Sequence, residues 1–292
     1  MYESFFGLSR KPFELQPDPS FMYLASRHVT ALKMLEYGLF HHDGFAVITG
    51  EIGCGKTTII KYLVEHLGGD VTVGVVPSTH NALGNIVQWA SIAFGLDYRT
   101  KVLAEAYERL QRFIVAEHES GKRVLLIIDE AQNLDAENLE VLRLLSNITA
   151  NGKHVLHTAL VGQSDLRQVL RQENMRQVRQ RIAIAFHLTA LTEVETGHYM
   201  ARRLELCNSG LSLFEAGAPS LIHMYSGGIP RLINVICDAA LVYAFGQRKK
   251  IVSLRLIRQV IAERIATGVM PVMKPKPRPG SKPRPTSTTT PA

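Results

Sequence analysis

The sequence predicts an α/β fold, a parallel sheet covered on both faces by helices, followed by a smaller all-helical domain. Three observations predict it. Five apolar, β-rich runs recur at 45–49, 71–76, 124–129, 155–161 and 182–188. Longer amphipathic segments separate them, among them 56–67, 81–94, 102–120 and 136–149. Strands of continuous apolar character alternating with helices are the pattern of βα units, which build parallel sheets buried on both faces. After about residue 190 the strand pattern stops, and only helical periodicity remains, through 193–207, 213–225, 231–245 and 253–266. The expected division is therefore a sheet domain at 1–190, a helical domain at 191–267 and a tail at 268–292.

The first run leads into GEIGCGKT, residues 50–57. This has the form G-x-x-x-x-G-K-[ST] and lies between a strand and a helical pattern, the context that gives the motif its meaning. Gly50, Gly53 and Gly55 let the backbone fold tightly enough for its N–H groups to surround phosphate oxygens, and the following helix adds its positive end. The nucleotide-binding set is Gly50, Glu51, Ile52, Gly53, Cys54, Gly55, Lys56, Thr57 and Thr58, with Cys54 a small filler. Lys56 is expected on the β- and γ-phosphates of ATP, and the Thr57 hydroxyl on Mg²⁺.

The third run, VLLIIDE, delivers Asp129 and Glu130 at its carboxyl end, the edge where open α/β sheets bind ligands. Asp129 is expected in the Mg²⁺ shell. Glu130 would orient and polarise the attacking water, because phosphoryl transfer needs positioning more than covalent chemistry. A single acid here would read as a helix cap; two after five apolar residues read better as a catalytic pair.

The fourth run ends near Gln163, a polar side chain at the same edge, placed to sense the γ-phosphate or the water. Gln163 and Ser164 also suit the ordinary role of capping the next helix. Before the fifth run comes the basic stretch RQENMRQVRQRI, with Arg171, Arg176, Arg179 and Arg181. Such a run is usually a solvated helix face. Its alternative is a guanidinium that reaches the nucleotide of a neighbouring subunit, Arg181 first and Arg179 second. The helical domain carries GGIPR, 227–231, where glycines end one helix and proline starts the next. Arg231 thus falls in a first helical turn, where a cation is unfavourable without an anionic partner, so Arg231 joins the nucleotide-binding set and also stands with Glu130, Lys56, Gln163, Arg181 and Arg179 as a catalytic candidate.

Composition sets the remaining bounds. The chain of 292 residues is 46% hydrophobic and 20% charged, which is globular, and no run approaches the ~20 apolar residues of a membrane span. The N-terminus has acids and prolines and no long apolar core, so it does not read as a secretory signal, and a cytoplasmic location is expected. Cys54, Cys207 and Cys237 are too widely spaced for a metal set or a C-x-x-C, and the eleven histidines show no ligand spacing. The net charge of +7 is concentrated in the tail: residues 271–292 hold seven prolines, five basic residues and no acid, and the rest carries 28 basic against 26 acidic residues, or +2. That composition predicts an extended, disordered tail, serving as a solubilising end or as a basic tether for an acidic surface. The near-neutral body argues against strong autonomous DNA binding.

Taken together, the phosphate loop, the Asp129–Glu130 pair, Gln163, the basic run and GGIPRLINVICDAAL resemble the AAA+ ATPases of the general secretion pathway protein A type. The opening YESFFGLSRKPFELQPDPSFMYLASRHVTAL is similar to that family's start, and the resemblance covers residues 1–266. It implies a P-loop NTPase fold with strand order 5-1-4-3-2 and a helical lid, residues 13–23 near the adenine, and Arg231 as a second sensor. It also implies Mg-ATP hydrolysis coupled to homo-oligomers and to protein clients of an envelope secretion, pilus or polysaccharide-export complex, at the inner face of the membrane. More distant relatives suggest a second class of partner, DNA, through a transposase. Where the secretion members continue into a membrane span and a peptidoglycan-binding module, this sequence runs into its basic Pro/Thr tail.

Overall fold

The computed structural model describes residues 1–16, 18–41, 44–77, 84–99, 102–207 and 213–268; the expected disordered tail from 271 and the start of the 81–94 helix lie outside them. The elements are α1 (Glu3–Phe6), α2 (Ser26–His41), β1 (Phe45–Gly50), α3 (Lys56–His66), β2 (Val71–Val76), α4 (Ile86–Ala93), α5 (Leu103–Glu119), β3 (Arg123–Ile128), α6 (Ala136–Leu145), β4 (Leu156–Gly162), α7 (Ser164–Arg171), α8 (Arg176–Gln180) and β5 (Ile182–Leu188). Then come α9 (Glu193–Glu205), α10 (Ala218–Ser226), α11 (Pro230–Gly246) and α12 (Leu254–Thr267).

The five strands form one parallel sheet in the order β2-β3-β4-β1-β5, the expected 5-1-4-3-2 read from the other edge. One detail differs: a separate antiparallel pair, Thr149–Ala150 with Lys153–His154, precedes β4. The helix expected over 136–149 stops at Leu145 because this hairpin follows it. Asn151 and Gly152 both take positive φ, 53° and 75°, the two-residue turn that Asn-Gly favours. The helix expected over 213–225 likewise starts later, at Ala218 behind Gly217, since Phe214 instead bridges to Val252.

Alternation along the strands divides the sheet's side chains between two cores. Val124, Leu126 and Ile128 of β3 pack with Leu110 and Ile114 of α5 and Leu139 and Leu142 of α6. Leu125 and Ile127 face the other way, toward Ile59, Ile60 and Leu63 of α3 and Leu35 of α2. A third core joins α9 to α12, and apolar residues of the N-terminal segment, grouped with the sheet domain on sequence, pack into it: Tyr2, Phe6, Leu8, Phe13 and Phe21 lie among Ile222, Ile233, Leu241 and Ile257. The Tyr2 hydroxyl donates to Asp238, and burial pushes its pKa well above the usual tyrosine range. Phe5 and Phe13 meet Phe245 and Phe214 edge-on.

Candidate nucleotide site

Because the sheet is parallel, all five strands aim their carboxyl ends at one edge, and the site forms there. β1 ends at Gly50, the loop turns through Gly53 and Gly55 at φ 86° and 97°, and α3 begins at Lys56. These conformations suit glycine, and at 53 the packing requires it too. A Cβ on Gly53 would lie 2.6 Å from Cβ of Arg231, and one on Gly55 would lie 3.2 Å from Nε2 of His28. The Lys56 ammonium, with its residue only 7% exposed, donates to Gly50 O at 2.8 Å and Glu51 O at 3.0 Å. Burial holds its pKa below the usual lysine range.

Next to it, Thr57 Oγ1 donates to Asp129 Oδ2 at 2.7 Å, and the Glu130 backbone N–H donates to Oδ1 at 2.9 Å. Burial pushes the Asp129 carboxyl above its ordinary range in spite of these donors, the desolvation effect expected of a buried carboxylate. Glu130 takes a left-handed backbone, φ 53° and ψ 38°, which costs a side-chain-bearing residue about 1–2 kcal/mol. Its Oε2 accepts from Gln163 Nε2 at 3.2 Å and from the Gln132 amide. Gln163 occupies the N-cap position of α7 but makes no side-chain capping bond; its amide goes to Glu130. The Ser164 hydroxyl goes to Glu51, at 3.2 Å.

The helical domain closes the other side. Gly227 and Gly228 end α10 in left-handed conformations, Pro230 starts α11, and the Arg231 N–H donates to Gly53 O at 3.2 Å. A cavity bounded by Lys56, Thr57, Glu130, Arg231, Phe21 and Arg203 runs between the phosphate loop and the N-terminal segment.

Sequence reasoning missed three contributors. His28, on α2, places Nε2 3.1 Å from Cys54 O under the loop, and burial lowers its pKa; a lone histidine 22 residues before GEIGCGKT gave no signal. Gln132, two residues beyond Glu130, was readable only as the fourth letter of Asp129-Glu130-Ala131-Gln132. Arg203 Nη1 donates to Pro12 O at 2.8 Å and Glu14 O at 3.4 Å, and its guanidinium lies 4.9 Å from the Phe21 ring and 5.1 Å from Tyr199. It straps the N-terminal segment to α9 over the cavity. Arg203→Met is expected to destabilise the protein by about 1.5–3 kcal/mol, the scale of charge-assisted hydrogen bonds. It should also speed proteolytic cleavage within the first 25 residues, both read by thermal melts and limited proteolysis.

The two remaining candidates lie elsewhere. Arg181 precedes β5, and its carbonyl accepts from Phe45 N at 2.8 Å at the start of β1. It is therefore a strand's length from the loop, roughly 20 Å at 3.3 Å per residue. Its guanidinium donates to Asn147 Oδ1 and lies 3.4 Å from His154 Nε2. Arg179 Nη1 donates to Leu170, Arg171 and Gln172 carbonyls at 3.0–3.4 Å, at the end of α7. Cys54 is buried inside the loop with its thiol pushed up to about 11, consistent with a filler.

The family model described as an AAA domain matches residues 39–170. The structure is similar to the Aeropyrum pernix ORC2 protein in its ADPNP-ADP complexes, with a TM-score of 0.66 at 20% identity over 87% of this chain and 72% of that one. The chain has the fold of the AAA+ P-loop NTPases. The Aeropyrum pernix ORC1 protein in complex with DNA shares that AAA+ fold at a TM-score of 0.64 and 17% identity, over 87% of this chain and 69% of that one. At these identities the likeness concerns fold alone. A nearer relative in sequence is general secretion pathway protein A of Aeromonas hydrophila, 38% identical over 251 residues. The match takes in 85% of this chain but only 45% of that protein, so the chain spans less than half the relative's length. No helix among the described residues is long and apolar enough to cross a membrane.

Proposed function

We propose that the protein hydrolyses Mg-ATP and uses the cycle to assemble with its own copies and to remodel a protein complex of an envelope secretion, pilus or polysaccharide-export system, working from the cytoplasmic side. The observation that carries the reading is the meeting of Lys56, the Thr57–Asp129 hydrogen bond and the Gln163–Glu130 hydrogen bond at one sheet edge. The residues fit both ligands. The glycines at 53 and 55 hold positive φ, and a side chain at 53 would collide with Arg231, while the Thr57 hydroxyl and Asp129 carboxylate are the hard oxygen donors magnesium takes. The ion, when bound, offsets charge on the β- and γ-phosphates.

The protein's own groups do the rest. Residues 50–58 hold the phosphates, with the Lys56 ammonium exchanging its carbonyl partners for phosphate oxygens. Glu130 orients the attacking water and takes up its proton, and Gln163 holds that carboxylate in place. Arg231, anchored by its backbone to the phosphate loop, reports the nucleotide to the helical lid. Its first-turn position, where the helix dipole disfavours a cation, supports an anionic partner. Arg181, and after it Arg179, serves a neighbouring copy's site from the amino edge of the sheet. The envelope setting rests on the similarity to general secretion pathway protein A.

The test is ATP turnover as a function of protein concentration, with mass by light scattering, with and without double-stranded DNA. Specific activity is expected to rise with concentration, mass to rise with ATP, and Arg181→Ala to abolish the concentration dependence. Stimulation by DNA would move the reading to a DNA-binding regulator of a transposase. A constant monomer mass with activity flat in concentration would end the shared-site mechanism.

A further inference from the structure

The carboxylate of Glu130 accepts from two amides, one of which belongs to a residue no motif assigns. Gln132 sits in a single 3₁₀ turn, Ala131–Asn133, directly after Glu130. Its amide nitrogen donates to Glu130 Oε2, and its amide oxygen accepts the backbone N–H of Gln163 at 2.8 Å. One side chain thus bridges the corner after β3 to the corner after β4. The fit is close: a Cβ on Gly162 would lie 2.8 Å from the Gln132 amide oxygen and 3.2 Å from its backbone nitrogen, so glycine at the end of β4 keeps the bridge in place. Glu130 meanwhile holds a left-handed backbone, and conformations of this kind persist only where surrounding contacts over-determine them.

We infer that Gln132 is a positioning residue for the hydrolytic step, fixing the carboxylate of Glu130 and the backbone of Gln163 as one unit. The inference rests on the proposed ATPase reading and deepens it. Both donors to Glu130 reach the same oxygen, Oε2, which leaves Oε1 for the water. Without Gln132 the left-handed corner and the carboxylate rotor both gain freedom, and a displacement of about 1 Å at a reacting group is enough to cost roughly 10²-fold in rate. The Gln132 amide is engaged by Glu130 and by the Gln163 N–H, outside the loop at 50–58, so its loss should appear in kcat and leave binding intact.

The experiment compares wild type, Gln132→Met, Glu130→Gln and the double variant. It reads single-turnover ATP hydrolysis, and the affinity for a fluorescent ATP analogue. The expected result is a fall in kcat of about 10²-fold for Gln132→Met with analogue affinity within twofold of wild type, and no further fall when Gln132→Met is added to Glu130→Gln. Wild-type kcat in Gln132→Met, or an equal fold-loss in both backgrounds, would overturn the inference, since a merely structural contribution would be additive. Should Gln132→Met fail to fold, Gln132→Glu keeps the acceptor for the Gln163 N–H and removes the donor to Glu130. The same loss of kcat is expected of it, and wild-type kcat in that variant overturns the inference equally. If Glu130→Gln itself retains full turnover, the ATPase reading fails at its own residue, an outcome separate from full activity in Gln132→Met beside an inactive Glu130→Gln.

Discussion

Glu130→Gln is expected to lower ATP turnover by about 10²- to 10⁴-fold, the span that a positioned acid–base group contributes, while ATP binding stays near wild type. The two halves of that expectation come from different contacts. Binding rests on the loop at 50–58, where Lys56 is bonded to Gly50 and Glu51 carbonyls and not to Glu130. The substitution conserves volume and keeps one oxygen to accept from Gln163 or Gln132. Asp129 is untouched, and its two donors, the Thr57 hydroxyl and the backbone N–H of residue 130, survive the change. What the amide cannot do is take a proton from water. Isothermal titration with ATP and a steady-state phosphate assay on the same sample separate the two effects. Turnover within threefold of wild type would remove Glu130 from the chemistry, and a parallel collapse of binding would mean that the substitution had disturbed the loop instead.

The reasons why some of this was legible in the sequence, and some was not, are physical. The sheet announced itself because buried parallel strands must be apolar on both faces, and runs such as 124–128 can hardly be anything else. The phosphate loop was legible because its chemistry constrains residue type at fixed spacing: glycines where φ is positive, then Lys56 and Thr57 where a helix begins. The sequence also puts Gln163 at the sheet edge that carries Glu130, since β3 and β4 both end there, but it leaves open whether the side chain caps α7. The errors have equally definite causes. The helix expected over 136–149 ran into the first strand of the Asn151–Gly152 hairpin, because a two-residue turn between two-residue strands leaves almost no periodicity to read. Arg203 and His28 escaped because their roles depend on contacts across long sequence separations: 191 residues from Arg203 to Pro12, and 26 from His28 to Cys54. Periodicity and spacing are local, and a polar group that is functional only through such a contact carries no local mark. The N-terminal segment is the clearest case. Its aromatics, Tyr2, Phe6, Phe13 and Phe21, read as apolar residues in need of cover, yet nothing before α2 says that the cover is α9 to α12.

The second large effect is expected from Gly228→Ala, at the joint between sheet and lid. Gly228 has φ 75°, and a Cβ there would lie 1.9 Å from the carbonyl oxygen of Leu191, a distance that no rotamer can relieve because the backbone alone fixes where a Cβ sits and the oxygen is itself backbone. Leu191 is the third residue after β5, and its N–H donates to Gly228 O at 2.9 Å, so the contact that the methyl group destroys is the one that seats the GGIPR turn on the end of the sheet. The costs combine a left-handed alanine at about 1 kcal/mol, a lost backbone hydrogen bond at about 1 kcal/mol and a forced displacement of the turn. The expected destabilisation is about 2–4 kcal/mol, in the range of the most damaging single substitutions. Displacing the turn also pulls the Arg231 N–H from Gly53 O, so nucleotide affinity should fall together with the melting midpoint. Gly246→Ala supplies the contrast. Gly246 is the last residue of α11, has no positive φ and meets nothing within 4 Å of its would-be Cβ, so alanine there should be neutral or stabilise by up to about 0.5–1 kcal/mol. Paired chemical-denaturation curves with and without ATP test both. A Gly228→Ala protein as stable as wild type would mean that the sheet and the lid are not joined through this turn, and the route proposed for Arg231 to report the nucleotide would lose its anchor.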